Sequence, residues 1–307
     1  MTVELVVISG KGGTGKTSVA ASLAVLAAPC VVADCDVDAA DLHLVLQPSP
    51  LVTHDFFSGY EAVVDQEKCL RCGLCADLCA FSSFDRYQDG RGLWRVRVRP
   101  LACEGCGVCV HYCGVGAISF PEKRRGRWFE AATRSGPMVH AVLDPGMGNS
   151  GKLVTQVRRR ASELAREQGV SWVITDGSPG IGCPVIASLT GATHVLAVTE
   201  PSVSGVHDLA RLLDLTRHFS IPTFVCVNKS DISEAGAQAI ERTCIDGGAR
   251  FAGRIPYDPA FGEAQVAGRA VVEGDGPGAL AIRALWEFIR RSVSSDLEKE
   301  GNHDESD

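Results

Sequence analysis

Six short runs are apolar at nearly every position: residues 3–9, 31–34, 172–176, 194–199, 223–228 and 250–255. Strands read this way when helices cover both faces of a parallel sheet, because neither face then alternates with water. Between the runs, apolar positions recur at helical spacing in residues 17–28, 152–168, 203–217, 233–246 and 279–292. Alternating strands and helices predict an α/β fold, doubly wound around a mostly parallel sheet. The alternation stops from about residue 61 to residue 121, where two cysteine-rich stretches share one spacing and flank a strand-like stretch at 93–98. That interruption reads as an inserted domain made of two copies of one unit. The α/β domain is therefore expected to be discontinuous, at 1–60 and 122–295. Within it, residues 128–143 should form strands leading back into the sheet. The acidic stretch 296–307 is expected as a disordered tail.

Composition changes this picture in two places. The chain has 307 residues, 45% hydrophobic and 22% charged, enough for two domains with a real core. A net charge of −7 argues against nucleic acid or an anionic membrane as the main partner. No stretch approaches the 18 apolar residues of a spanning helix. The run at 3–9 passes into a glycine-rich loop without a cleavage site, so neither a signal peptide nor stable membrane anchoring is expected, and the location should be cytoplasmic. Thirteen cysteines in a reducing compartment read as metal ligands before disulfides. Basic residues gather at 91–99 and 123–127. They form either a solvated face or a dock for an acidic redox partner; no aromatics interleave them as a nucleic-acid platform requires.

The loop Gly10-Lys11-Gly12-Gly13-Thr14-Gly15-Lys16-Thr17-Ser18 follows a strand and opens a helix. In that setting glycines let backbone N–H groups converge on phosphate oxygens, and the helix N-terminus adds a favourable dipole. Lys16 is expected to reach the β- and γ-phosphates and Thr17 to ligate Mg²⁺. The second lysine, Lys11, makes the loop resemble the deviant Walker A of the MinD/ParA group of P-loop ATPases, which includes Mrp-type carriers and the nitrogenase iron protein. The resemblance implies ATP-dependent dimerisation in which Lys11 crosses to the partner's nucleotide. It also implies that Asp36, in Asp34-Cys35-Asp36, positions the attacking water. Asp176, opening Asp176-Gly-Ser-Pro-Gly-Ile-Gly182, would stand behind the Mg²⁺, and Asn228 would contact adenine. Asn228-Lys229-Ser230-Asp231 also resembles a guanine-reading motif, which keeps GTP open, though the deviant loop points to ATP. Asp38 and Asp41 read as solvated or helix-capping residues.

Cys69-x2-Cys72-x2-Cys75-x3-Cys79 and Cys103-x2-Cys106-x2-Cys109-x3-Cys113 both carry the bacterial ferredoxin spacing. Three closely spaced thiolates can hold three corners of a [4Fe–4S] cube, with the fourth cysteine of each run serving the other cluster. One cluster would take Cys69, Cys72, Cys75 and Cys113, the other Cys103, Cys106, Cys109 and Cys79. Zinc sites use pairs instead. The proline usual after the last cysteine is replaced by Ala80 and Gly114. Cys30, Cys35, Cys183, Cys226 and Cys244 read as packed cysteines. Cys183 also resembles the cluster ligand behind switch II of the nitrogenase iron protein, whose other ligand position falls near Asn149 here.

The whole chain thus resembles MinD-superfamily P-loop ATPases with an inserted bacterial-type ferredoxin domain. This implies ATP binding and hydrolysis driving a dimer switch, in a homodimer or a heterodimer with a paralogous ATPase. The switch would be coupled to two [4Fe–4S] clusters for electron transfer or for assembly of a metallocluster target. The alternatives are an Mrp-like cluster carrier and a MinD-like spatial regulator. The fold would also admit amidoligases, but no glutaminase domain is present in the sequence.

Overall fold

The computed structural model describes residues 2–148 and 150–304, with side chains through Lys299. The chain begins β1 (Val3–Ile8), α1 (Lys16–Leu26), β2 (Val31–Asp34), α2 (Leu42–Leu46) and β3 (Leu51–Tyr60). Short elements follow: β4 (Val63–Val64), α3 (Leu74–Asp77), β5 (Phe84–Gln88), β6 (Trp94–Val98), α4 (Val108–His111) and β7 (Ile118–Ser119). Then come β8 (Glu122–Thr133), β9 (Gly136–Leu143), α5 (Ser150–Gln168), β10 (Trp172–Asp176), α6 (Cys183–Leu189) and β11 (His194–Thr199). The chain closes with α7 (Val203–His218), β12 (Thr223–Asn228), α8 (Glu234–Asp246), β13 (Arg250–Ile255), α9 (Ala260–Val266) and α10 (Pro277–Asp304). Two compact units result, one from residues up to His54, from Trp128–Val142 and from Ser150 onward, the other from Asp55–Arg127 and the segment starting at Leu143.

In the first unit the sheet order is β13-β12-β11-β1-β10-β2-β9, parallel throughout. β8 and β3 follow beside β9. Alternation along β1 separates two cores: Leu5 and Val7 pack with α1 and α10 residues, whereas Val6 and Ile8 pack with α6, α7 and α8 residues. Burial on both faces explains why these strands lack a polar period. The register sets Val7 beside Asp176 and Asp176 beside Asp34, so the parallel strands end together. Loops leaving that edge form the crevice where such sheets bind ligands.

One expectation changes here. The segment from 296 is not a disordered tail, because α10 continues to Asp304. Asp296 accepts a hydrogen bond from Arg250 Nη2 at 2.6 Å and faces His194 Nε2 at 3.3 Å, ties that hold the helix onto the sheet. Residues 305–307 lie outside the described residues. The helices α2, α6 and α9 have 5–7 residues, too short to show a helical period in sequence.

The second unit repeats one pattern twice, β4-α3-β5 and β6-α4-β7. Its strands pair across the copies: β4 with β7 and β5 with β6, both antiparallel. Backbone geometry repeats too. Arg71, Gly73 and Ser82 have φ of 63°, 80° and 49°, and their counterparts Gly105, Gly107 and Gly116 have 68°, 78° and 62°. A Cβ on Gly105 would lie 2.4 Å from the Tyr60 carbonyl oxygen, so the second copy requires glycine where the first carries arginine.

Candidate functional site

The loop from β1 to α1 is shaped by two left-handed glycines, Gly13 at φ 81° and Gly15 at φ 88°. A Cβ on Gly15 would sit 2.3 Å from Asn228 Nδ2. Asn228, at the end of β12, donates to the Thr14 carbonyl at 2.8 Å and accepts from the Lys229 N–H at 2.9 Å. The buried amide thereby braces the loop, with one further N–H and one further lone pair left over. Lys229 Nζ adds a bond to the Gly13 carbonyl at 3.0 Å. Gly15 occupies the cap of α1 without a side-chain hydrogen bond, which leaves the helix's first N–H groups to a ligand. Gly12, Gly13, Gly15, Lys16, Thr17 and Ser18 border a cavity of about 520 Å³. Asp36, Asp38, Asp41, Ser178 and Gln265 complete much of its wall. Asp41 does precede α2, but its side chain makes no cap hydrogen bond there.

Lys16 is buried against three carboxylates. Its Nζ donates to Asp176 Oδ1 at 2.6 Å and lies 3.6 Å from Asp36 Oδ2. Burial disfavours its charge, but the carboxylates of Asp176, Asp36 and Asp34 outweigh that and raise its pKa. Asp34 is pushed well up, by burial first and the Asp176 carboxylate second. Its oxygens accept from the backbone N–H groups of Asp36 and Leu42 at 3.1 and 3.2 Å, which positions the segment carrying Asp36. Burial also raises Asp36, with Lys16 opposing. Among the described residues, two buried polar atoms of this site lack a hydrogen-bond partner: Asp176 Oδ2 and Thr14 Oγ1. An unpaired buried acceptor beside a lysine marks a place for a further donor or cation. The Asp176 segment is tied to its neighbours by Gly180 N–H to the Ser9 carbonyl (2.8 Å) and Ser178 Oγ to the Cys35 carbonyl (2.6 Å).

Residues 5–271 match the CobQ/CobB/MinD/ParA nucleotide-binding domain. The chain belongs to this family. An uncharacterised protein of Methanocaldococcus jannaschii is 34% identical over 236 residues, covering 75% of this chain and 79% of that one. An uncharacterised ATP-binding protein of the same organism is 24% identical over 307 residues, covering 97% and 90%. Among solved structures, the cell-division ATPase MinD of Pyrococcus furiosus aligns with a TM-score of 0.57 at 18% identity, covering 95% of this chain and 99% of that one. MinD of Pyrococcus horikoshii, complexed with Mg-ADP, aligns at 0.56 and 16%, covering 95% and 98%. The first unit therefore has the α/β fold of a MinD/ParA-type ATPase. Among the described residues no helix is long and apolar enough to cross a membrane.

In this MinD/ParA-type domain Lys11 is held within its own chain. Its Nζ lies 2.6 Å from Glu200 Oε1 and donates to Ser204 Oγ at 2.9 Å. The hydrogen bond from Lys11 lowers the Glu200 pKa against a smaller burial effect, and Lys229 helps. The sequence reading missed Glu200, Ser204 and Lys229 as partners of the loop. A signal existed for Glu200, which directly follows β11, since a carboxylate at that end of a parallel strand faces the crevice. Glu4 and Arg158 were missed as well: Arg158 on α5 donates to both Glu4 oxygens at 2.8 and 2.6 Å and to the carbonyls of Ala187 and Thr190. This buried pair binds β1, α5 and α6 together next to the Asp176 strand.

The cysteines fall into three settings. Cys30, Cys35, Cys226 and Cys244 are buried, whereas Cys183 is exposed at the start of α6, contrary to the packed role expected of it. Asn149 lies outside the described residues. In the second unit, Cys69, Cys72, Cys75, Cys109 and Cys113 border one cavity of about 200 Å³, with otherwise mostly apolar walls that include Val64, Leu74, Val96 and Ile118. Burial raises the Cys75 thiol, and the thiolates of Cys69 and Cys72 add to it. Cys109 is pushed up to about 11 by burial and then by Cys103 and Cys106. The fourth cysteines match across the copies: Cys79 Sγ accepts from the Ser83 N–H and Cys113 Sγ from the Ala117 N–H, each at 3.3 Å. Among the described residues no three His, Cys, Asp or Glu side chains converge as ligands of a single metal ion.

Proposed function

We propose that the protein is an ATP-hydrolysing iron–sulfur protein whose nucleotide-dependent dimer switch is coupled to two [4Fe–4S] clusters in an inserted ferredoxin-like domain. The cavity bordered by Cys69, Cys72, Cys75, Cys109 and Cys113 carries this reading, because it brings three cysteines of one copy together with two of the other, among them Cys113, the fourth ligand the spacing requires. A single zinc ion would instead draw four sulfurs to about 2.3 Å from one point. Apolar walls suit a cluster, whose potential depends on exclusion of water. Cys103, Cys106, Cys109 and Cys79 are the corresponding set for the second cluster. When bound, the clusters supply one-electron chemistry; the chain supplies the thiolates, the shielding and the N–H donors to sulfur.

For the nucleotide, the loop N–H groups and Lys16 would hold the phosphates, and Thr17 with Asp176 would serve Mg²⁺. The orphaned Asp176 Oδ2 supports this fit, since a hydrated Mg²⁺ brings the donors it lacks. Asp36 borders the cavity and orients the attacking water, while Lys16 and a Lys11 released toward a second chain neutralise phosphoryl charge. Coupling requires ATP to bind two conformations with different affinity, and the segments after Asp34 and Asp176 are the elements that can differ. The output is electron transfer or metallocentre assembly. A MinD-like spatial role has the fold likeness in its favour, but the apolar positions of α10, among them Ile282, Leu285, Trp286 and Ile289, are buried in the core.

Iron and sulfide analysis with EPR on anaerobically prepared protein tests the cofactor reading, with about eight irons per chain expected. Potentials measured without nucleotide, with ADP and with ATP test the coupling. A shift between nucleotide states supports it, and identical potentials reject it.

A further inference from the structure

The two copies of the cysteine unit superpose in pattern but differ in charge at their rims. Beside Cys72 stand Arg71 and Arg86; the matching positions beside Cys106 are Gly105 and Phe120. In the second copy the loop is closed over by aromatic packing, with Tyr60 stacked on Phe120 at 5.1 Å and the Tyr60 backbone against Gly105. In the first copy the corresponding place is an open groove of about 300 Å³ lined by Arg71, Cys72, Arg86, Trp94 and Arg95. Cys72 and Arg71 are exposed, and Trp94 is 59% exposed. Arg86 is held by Asp77 and Arg95 by Asp89, which fixes two guanidinium groups at the groove. Arg71 enters no ion pair among the described residues, so its charge is available. With Arg86 and Arg95 compensated by their aspartates, Arg71 supplies the uncompensated positive charge of this groove.

We propose that this groove docks an acidic protein that exchanges electrons through the Cys72 side of the molecule. The proposal rests on the cluster reading above and adds to it a direction: the first cluster, not the second, faces the partner. A carboxylate matches the unpaired Arg71 guanidinium in charge and bidentate geometry, and Trp94 offers a flat apolar contact beside a thiolate ligand. One electron crosses per encounter; what the cluster loses the partner gains, and no bond or proton changes place.

The test uses the full-length protein with its clusters. Poly-L-glutamate at low salt is the binding probe, read by tryptophan fluorescence. Arg71→Glu should weaken it about tenfold, and Arg71→Gly, which copies the second unit and relieves a left-handed backbone, should weaken it less while folding normally. Arg242→Glu makes the same net-charge change on an exposed residue of α8 and should do little. Reoxidation of the reduced protein by ferricyanide, an anionic one-electron oxidant, should slow about tenfold in Arg71→Glu, and reoxidation by the cationic hexaammineruthenium(III) should not slow. Equal effects from Arg242→Glu, equal slowing with both oxidants, or tighter Arg71-dependent binding of a single-stranded oligonucleotide would overturn the proposal. Iron and EPR analysis of the same samples separates the failures. Absent clusters sink the cluster reading, whereas intact clusters with Arg71-independent binding and kinetics sink the docking site alone.

Discussion

The phosphate loop and the cysteine cavity are built by opposite means. Around the loop, strands β1, β2 and β10 are almost wholly buried, and Lys16, Asp34 and Asp176 are locked in one another's field before any ligand arrives. Around the cysteines, every residue of the one-turn helices α3 and α4 is at least partly exposed, and the buried apolar residues of that unit are few, such as Phe56, Val96 and Ile118. A small unit without much core needs a metal or other staple to reach ordinary stability. The first site therefore shapes itself for its ligand, whereas the second, on the proposed cluster reading, would depend on what it binds.

The largest effect should come from removing iron. If the cysteine unit holds the proposed clusters, chelation under reducing, anaerobic conditions should expose residues 55–127 to proteolysis while the α/β unit keeps its fold and its nucleotide binding, because binding free energy would then be folding free energy in the cysteine unit. Equal protease protection with and without iron would erase the contrast. Limited proteolysis followed by mass spectrometry reads the result directly.

At the self-shaped site, substitutions should separate binding from turnover. Asp36→Ala should keep nucleotide affinity and lower ATP turnover by about a hundredfold or more, the usual contribution of a positioned acid–base group. Lys16→Ala should lose both, since it removes a phosphate ligand and leaves Asp176 and Asp34 without their cation. Isothermal titration and phosphate release distinguish the two. Loss of affinity in Asp36→Ala would show that its carboxylate builds the site instead of serving the water.

Arg158→Ala tests a support that is remote from the ligand. Arg158 and Glu4 form a buried pair, and removing one partner of such a pair costs about 3–5 kcal/mol. Urea unfolding of the nucleotide-free protein measures the loss. Arg158→Met together with Glu4→Leu should recover much of it, because the penalty lies in the uncompensated charge.

These contrasts also explain what was readable beforehand. The buried parallel strands announced themselves, since residues 31–34, 172–176, 194–199, 223–228 and 250–255 are strands with those bounds. Local motifs with their own backbone chemistry, the glycine loop and the cysteine spacing, were equally visible. Pairings made across the fold were not. Lys11 with Glu200, Arg158 with Glu4 and Asn228 with the Thr14 carbonyl join residues 154 to 214 positions apart. No spacing rule reaches that far. The acidic end misled for a related reason: composition suggested disorder, while Asp296 is fixed by Arg250 on β13.

The smallest predicted effect concerns Lys11, where the preformed site holds back one of its own groups. The Glu200 pKa is lowered in the fold, so its contribution to stability is present above its unfolded value, about 4.3, and is lost as pH falls through the folded value. The side chains of Lys11 and Glu200 are 35% and 22% exposed, so solvent and salt screen the pair and the contribution is about 0.5–1 kcal/mol at most. Glu200→Gln should therefore differ in stability from the parent near neutral pH and converge with it in acid, and high salt should shrink the difference. If Lys11 must leave Glu200 to reach a second chain, the same substitution should tighten dimerisation with a non-hydrolysable ATP analogue by about two- to fivefold, the amount by which the competent state was under-populated. Lys11→Ala should abolish that dimerisation. Sedimentation velocity across a concentration series measures both variants. Weaker dimerisation in Glu200→Gln would mean that Glu200 positions Lys11 for the partner instead of restraining it, and wild-type dimerisation in Lys11→Ala would reject a crossing lysine altogether.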